Sequence, residues 1–390
     1  MPRVRLRAVL RSFVVSVSVM ALAATVMVAR SNGASIVASS SPLEMVSVSD
    51  APLLLDDGDT ASLRQAIGQS LAWLRGQPPG QRVFFGARAV SVAEQMQILR
   101  RMLDLISDDP SADVLEARVN AEFDLLRSVG EKGRMTVTGY HEPIVEASET
   151  KTAEYHVPIY GVPRDLTTGR RNAYLTRAEI EQGRLGDRAR PIAWARDPVD
   201  VFFLEIEGSG TLRFPGNREQ RVGYGATNGR PYRSIGWLLI REGKIAPEAM
   251  TMRALREWLN DHPEERKRVL HFNESFVFFR QSSGSPVGSL GVPLTPGRSI
   301  ATDPQVVPRG SLAFIRTMRP FELPGGQIAW KPVTRFVLSQ DAGGAIRGPG
   351  RVDVFWGRGP EAALAASDMK ELGDLYVVVP KTLVADVGWY

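Results

Sequence analysis

The chain has 390 residues, 43% hydrophobic and 23% charged, enough for two globular domains and a leader and too apolar for a disordered protein. It contains no cysteine, which excludes disulfides, thiolate metal sites, a cysteine nucleophile and an N-terminal lipid-modified cysteine. The formal charge of +5 is matched by Arg3, Arg5, Arg7, Arg11 and Arg30; without the first 30 residues it falls to zero, so nothing in the charge argues for a nucleic-acid partner.

Residues 1–34 combine this Arg-bearing start with an apolar run from Phe13 to Ala29 and small residues suited to cleavage, around Ala21-Leu22-Ala23 or Asn32-Gly33-Ala34. That is the pattern of a signal peptide, or of a signal anchor if it stays uncleaved. Export is expected. Residues 35–58, rich in Ser, Ala and Asp, predict a flexible tether.

Three helical patterns follow. Leu63, Ile67, Leu71 and Leu74 fall on one face; Ser91 and Glu94 form a capping box opening a helix with Met96, Leu99 and Leu103 inward; Leu115, Val119 and Phe123 mark the third. From Arg134 the pattern turns to short alternating runs broken by Gly and Pro, such as Met135–Thr138 and Val199–Ile206, the signature of a β-barrel or sandwich. Helical punctuation returns over Pro247–Asn260, and strand patterns resume at Leu312–Arg316, Thr334–Leu338, Val352–Trp356 and Leu375–Val379.

Several motifs offer chemistry, each beside a plainer explanation. Asp341 and Asp353 flank a glycine-rich connection, whose spacing alone favours a hairpin with Asp at its turn positions. The apolar Val-Phe-Trp after Asp353 would partly desolvate its carboxyl, as a general acid needs. Thr138-Gly139-Tyr140-His141-Glu142-Pro143 offers an aromatic ring to a sugar but also suits a strand-ending turn. Glu207-Gly-Ser209-Gly210 reads as a strand-closing turn, without the setting of a nucleophile elbow. Tyr224 to Ser234, with Asn228, is rich in groups that hydrogen-bond sugar hydroxyls, although Asn228-Gly229 is a good turn and Ser234 a good helix cap. Phe276, Phe278 and Phe279 read as core. Gly357-Arg-Gly359-Pro-Glu-Ala362 mimics a dinucleotide fingerprint, but too little chain follows for that fold. The four histidines, His141, His156, His262 and His271, are scattered, so no metal site is expected.

Taken in order, these runs resemble the membrane-bound lytic murein transglycosylase A family, from about Ala61 to Pro380. The matching pieces are Thr138–Pro143, Leu175–Ile180, Glu207–Gly210, Tyr232–Gly236, Asn273–Phe279 and Asp341–Gly357. The final third resembles the three-aspartate domain, with Asp303, Asp341 and Asp353. The resemblance implies a mainly β chain with accessory helices: a double-psi β-barrel catalytic domain formed by 59–140 and 263–390, and an inserted β-domain over 141–262 facing it across a substrate groove. By position Asp353 matches the family's catalytic acid and Asp341 its neighbour. Thr138, Gly139, Tyr140, Ser209, Gly210, Tyr224, Asn228 and Asp303 are the implied substrate-binding residues. Three departures stand out: Glu207 where Gln is usual, His141 and Glu142 in a motif that often carries a second Tyr or a Thr, and no lipid-modified Cys.

The family reaction cleaves the β-1,4 bond between N-acetylmuramic acid and N-acetylglucosamine and leaves 1,6-anhydro ends, with Asp353 as acid and then base. The resemblance further implies peptidoglycan strands as partner, association with cell-wall synthesis or division proteins, a monomeric chain in the periplasm, and no cofactor. Two other readings stay open: a glycan hydrolase on the same barrel, and a non-catalytic expansin-like wall-binding protein.

Overall fold

The computed structural model describes residues 41–130, 134–166 and 174–381. The expected leader, 1–34, and the first residues of the expected tether lie outside them. Among the described residues no helix is long and apolar enough to cross a membrane.

Six strands close into a barrel. In spatial order they are Lys370–Pro380, Leu312–Glu322, Ile328–Asp341, Ser299–Ala301, Arg351–Arg358 and Met135–Glu142, and the last pairs back onto the first. Alternation drives the closure: Val137, Ile300, Ile315, Val337, Val352, Val354, Trp356, Leu375 and Val377 point inward and form one core. Two neighbour pairs are parallel, Ser299–Ala301 with Ile328–Asp341 and Met135–Glu142 with Arg351–Arg358. Asp341 and Asp353 therefore do not flank a hairpin. The short strand Ser299–Ala301 lies between theirs, parallel to one and antiparallel to the other.

A helical layer covers one outer face. Helix Thr60–Leu74 buries Leu63, Ile67, Leu71 and Leu74 as expected, and helix Val92–Leu105 opens with the expected Ser91–Glu94 capping box. Its buried face is Ile98, Leu99, Met102 and Leu105 rather than Met96 and Leu103, which stay partly exposed at the edge of the same core. These helices pack on Leu312, Phe314, Phe336, Leu338, Tyr376 and Val378. Phe123, expected in the third helix, instead opens the strand Phe123–Ser128.

Residues 41–58 do not behave as a tether. Leu43–Met45 adds a strand beside Phe123–Ser128, Leu54 is fully buried, and Asp56 accepts from both terminal nitrogens of Arg298 at 2.7 and 2.9 Å. Arg298 is 1% exposed, so this pair fastens the segment to the barrel. Composition predicted a tether because a charge that buries only against a distant partner looks like solvated surface in sequence.

The insert is a six-stranded sheet in the order Val277–Ser282, Arg218–Thr227, Ser209–Phe214, Ile144–Ser148, Pro191–Ala195 and Val157–Tyr160, and a bridge between Gly161 and Phe279 links its edges. The Val277–Ser282 strand pairs along Arg218–Thr227, so this sheet reaches past the boundary expected at 262. Phe276, Phe278 and Phe279 are core, as expected. Val199–Ile206, expected as a strand, is helix Pro198–Glu207. Asp197 caps it through the amide of Val199, Pro198 occupies its first turn, and Gly208 at φ 71 ends it. This helix is buried between two cores, so apolar residues surround it and its period is lost.

Candidate active site

One row of residues crosses the barrel. Asp341 is level with Ala301, Ala301 with Asp353, Asp353 with Thr138, and Thr138 with Lys370. The single strand between the two aspartates separates their Cα atoms by two strand spacings, about 10 Å. Alternation sends Val352, Val354 and Trp356 into the core and leaves Arg351 and Asp353 on the other face. Of the apolar residues after Asp353, only Phe355 shares its face, where it packs against Tyr140. Arg351 holds the Asp353 carboxyl, with Nε 2.8 Å from Oδ1 and Nη2 2.9 Å from Oδ2, and the Thr138 hydroxyl also donates to Oδ1. Arg351 also donates to Thr138 Oγ1 at 3.3 Å. Burial pulls the Arg351 guanidinium down, but the adjacent carboxylate outweighs this and leaves it above its ordinary value.

Asp341 is held differently. Its Oδ1 accepts the amides of Ser289 and Ala342, both at 2.8 Å, and its Oδ2 accepts the Tyr140 hydroxyl at 3.0 Å. Burial pushes its carboxyl up while these donors pull it back. Burial also pushes the Tyr140 phenol well above its usual range, and the charges of Asp341, Asp353 and Glu207 add to the rise. The Tyr140 ring lies 5.2 Å from that of Phe355. Gly139 is required by packing, since a Cβ there would sit 2.7 Å from Trp356 Cδ1 and Nε1.

From the insert, Glu207 ends its helix beside this cluster, its Oε1 3.6 Å from Nδ1 of His141. Ser209 and Gly210 open the next strand rather than closing one, and a Cβ on Gly210 would meet the Pro143 carbonyl at 2.9 Å. The fold thus gathers Asp353, Asp341, Thr138, Gly139 and Tyr140, with Ser209 and Gly210 adjoining through Glu207.

Two expected sugar contacts are used inside the protein. Asn228 is 1% exposed; its Nδ2 donates to the carbonyls of Leu175 and Glu274, and its Oδ1 accepts the amide of Phe276. Asp303 spends its two oxygens on the amides of Gln305 and Gly348, pinning the loop that leads to Arg351. Both hold loops because a buried polar side chain must be satisfied locally. Tyr224 is half exposed on the insert sheet, opposite Phe279. Sequence reasoning overlooked Arg351, whose guanidinium closes over both oxygens of Asp353. Arg351 had a signal: on a strand, residue i−2 shares the face of residue i.

A barrel of the three-aspartate kind carrying an inserted β-domain is the class that this geometry defines. Residues 136–280 match the MltA specific insert domain and 298–379 the 3D domain. The chain is similar to the membrane-bound lytic murein transglycosylase A of Escherichia coli K12, 34% identical over 249 residues, which are 63% of this chain and 66% of that protein's length. A membrane-bound lytic murein transglycosylase from Agrobacterium tumefaciens superposes with a TM-score of 0.70 at 30% identity, over 87% of this chain and 97% of that one. The E. coli MltA structure with bound chitohexaose gives 0.67 at 26% identity, over 87% and 95%. The chain belongs to the membrane-bound lytic murein transglycosylase A family.

Proposed function

We propose that this protein is a peptidoglycan lytic transglycosylase with Asp353 as its acid and base. Protonated Asp353 gives its proton to the oxygen linking N-acetylmuramic acid to N-acetylglucosamine, through an oxocarbenium-like transition state. The resulting carboxylate takes the proton of the muramic acid's 6-hydroxyl, which attacks the anomeric carbon and closes the 1,6-anhydro ring. An intramolecular nucleophile removes the need for a second carboxylate to activate water, and proximity supplies much of the acceleration.

One observation carries this choice. Asp341 and Asp303 commit oxygens to backbone amides, whereas among the described residues Asp353 is held only by the side chains of Arg351 and Thr138, which can rotate away. Asp341 then acts through Tyr140, which it fixes beside Asp353. Barrel and insert come from one chain, which supports a monomer as the working unit. The Arg-bearing leader supports export to the periplasm, where wall-synthesis or division proteins would be its neighbours.

Mass analysis of muropeptides released from sacculi tests the proposal. Anhydro ends from the wild type and none from Asp353→Asn are expected. Reducing ends without anhydro ends would identify a hydrolase, and binding without release a wall-binding protein.

A further inference from the structure

The fork between Arg351 and Asp353 poses a chemical problem for the proposed reaction. Each oxygen of Asp353 accepts a donor from Arg351, and Thr138 donates to one of them as well. A carboxylate in that state is an acceptor only and has nothing to give a glycosidic oxygen. The fork must open before Asp353 can carry a proton.

Arg351 is placed to open it. Its side chain is 38% exposed while that of Asp353 is 14% exposed, so the guanidinium lies on the open side of the pair. A guanidinium's planar fork matches any carboxylate, so an incoming carboxylate can compete with Asp353 for it. The substrate class proposed above supplies such groups, because muramic acid keeps its lactyl carboxylate where no peptide is attached, and the peptide brings carboxylates of its own where one is.

We propose that Arg351 is a specificity-determining positioning residue, which exchanges Asp353 for a carboxylate of the incoming muramoyl strand and so couples substrate recognition to release of the acid. On exchange, Asp353 takes a proton from solvent. It gives that proton to the leaving oxygen as the old C–O bond breaks and recovers one from the 6-hydroxyl as the new C–O bond forms. When product leaves and Arg351 returns, the proton goes back to solvent, so the cycle has no net proton change. A neutral glycan of the same length cannot draw Arg351 away.

The inference rests on the proposed transglycosylase reading, and the full-length protein tests the two separately. In a binding arm, wild type and Arg351→Gln are titrated with native sacculi and with sacculi whose carboxylates are blocked by carbodiimide and glycinamide. Wild type should prefer native sacculi about tenfold, the scale of one charge-assisted fork, and R351Q should bind both alike. In a turnover arm, R351Q should lose efficiency on native strands yet gain about tenfold over wild type on chitohexaose, which is neutral. A structural role cannot produce opposite changes on two substrates; equal losses on both, or an unchanged preference for native sacculi, overturn the assignment. If R351Q melts early, Arg351→Lys, which keeps the charge without the fork, should keep a reduced preference for native sacculi, and a lysine variant that binds both alike or prefers native sacculi as strongly as wild type also overturns the assignment. Wild type that prefers native sacculi but releases no anhydro ends would refute the proposed chemistry and leave the role of Arg351 standing.

Discussion

Arg351 and Asp353, two residues apart on one strand, meet on its outer face with both carboxylate oxygens engaged, at 2.8 and 2.9 Å. The proposed acid is therefore not the isolated carboxyl in an apolar wall that its neighbours in sequence suggest. It is one member of a cluster with Thr138, Arg351, Tyr140 and Asp341, and each member can be tested.

Replacing Asp353 by Asn keeps the shape and removes the proton. Release of anhydro muropeptides should fall by about 10²–10⁴-fold, the usual worth of general acid–base catalysis, and the unfolding midpoint should move little. Retention of more than a tenth of the wild-type rate would deny Asp353 its role.

Tyr140→Phe deletes the hydroxyl that binds Asp341 at 3.0 Å and keeps the ring against Phe355. A hydrogen bond to a charged group contributes about 1.5–3 kcal/mol, so kcat/KM on glycan strands should drop roughly tenfold or more if Tyr140 is fixed for catalysis. Unaltered kcat/KM would mean that this bond serves folding alone.

Gly139→Ala would push a methyl group against Trp356, which is itself packed under Arg319 at 4.6 Å. Overpacking of this kind costs about 1–3 kcal/mol, and here it also displaces Thr138 and Tyr140 on either side. Denaturant midpoints should fall and activity with them; a variant as stable as wild type would show that Trp356 yields freely.

Asp56→Ala strands Arg298 in the interior without its carboxylate. Breaking a buried pair from one side costs about 3–5 kcal/mol. Urea unfolding should register that loss, and proteolysis should open the chain near residues 41–58. A change below about 1 kcal/mol would show that Arg298 finds other partners.

Burial pushes Glu205, on the buried helix of the insert, up to about 7 against the pull of Arg177, which meets its Oε2 at 2.6 Å. The folded chain therefore holds this proton more tightly than an unfolded chain with a Glu near 4.5. The stability from this group is complete below that unfolded value and fades as pH rises through about 7. Unfolding free energies of wild type and Glu205→Gln, compared from pH 4.5 to 8, should differ in the sense that wild type loses ground as pH rises. A difference that is flat or grows with pH contradicts the shift.

Part of this protein could be read before any coordinates. The Leu63, Ile67, Leu71, Leu74 face, the Ser91–Glu94 box and the Ser234 cap are local signals, and each appears where the sequence puts it. Asp353 itself emerged from the order of motifs along the chain. Local patterns misled where burial was complete: Pro198–Glu207 is apolar on nearly every side, and its alternation looked like a strand although Pro198 and Gly208 already bounded a helix.

Local chemistry, set by capping, periodicity and turn residues within a few positions, determined several of the helices, most barrel strands and the motif that carries Asp353. Only the tertiary structure decided what each polar group is for. It placed Ser299–Ala301 between the two aspartates, turned Asn228 and Asp303 into loop anchors, tied Asp56 to Arg298 and closed Arg351 over Asp353. Those pairings join residues that are mostly far apart in sequence, and the pressure to satisfy a buried charge or amide acts through space, where spacing along the chain leaves no trace.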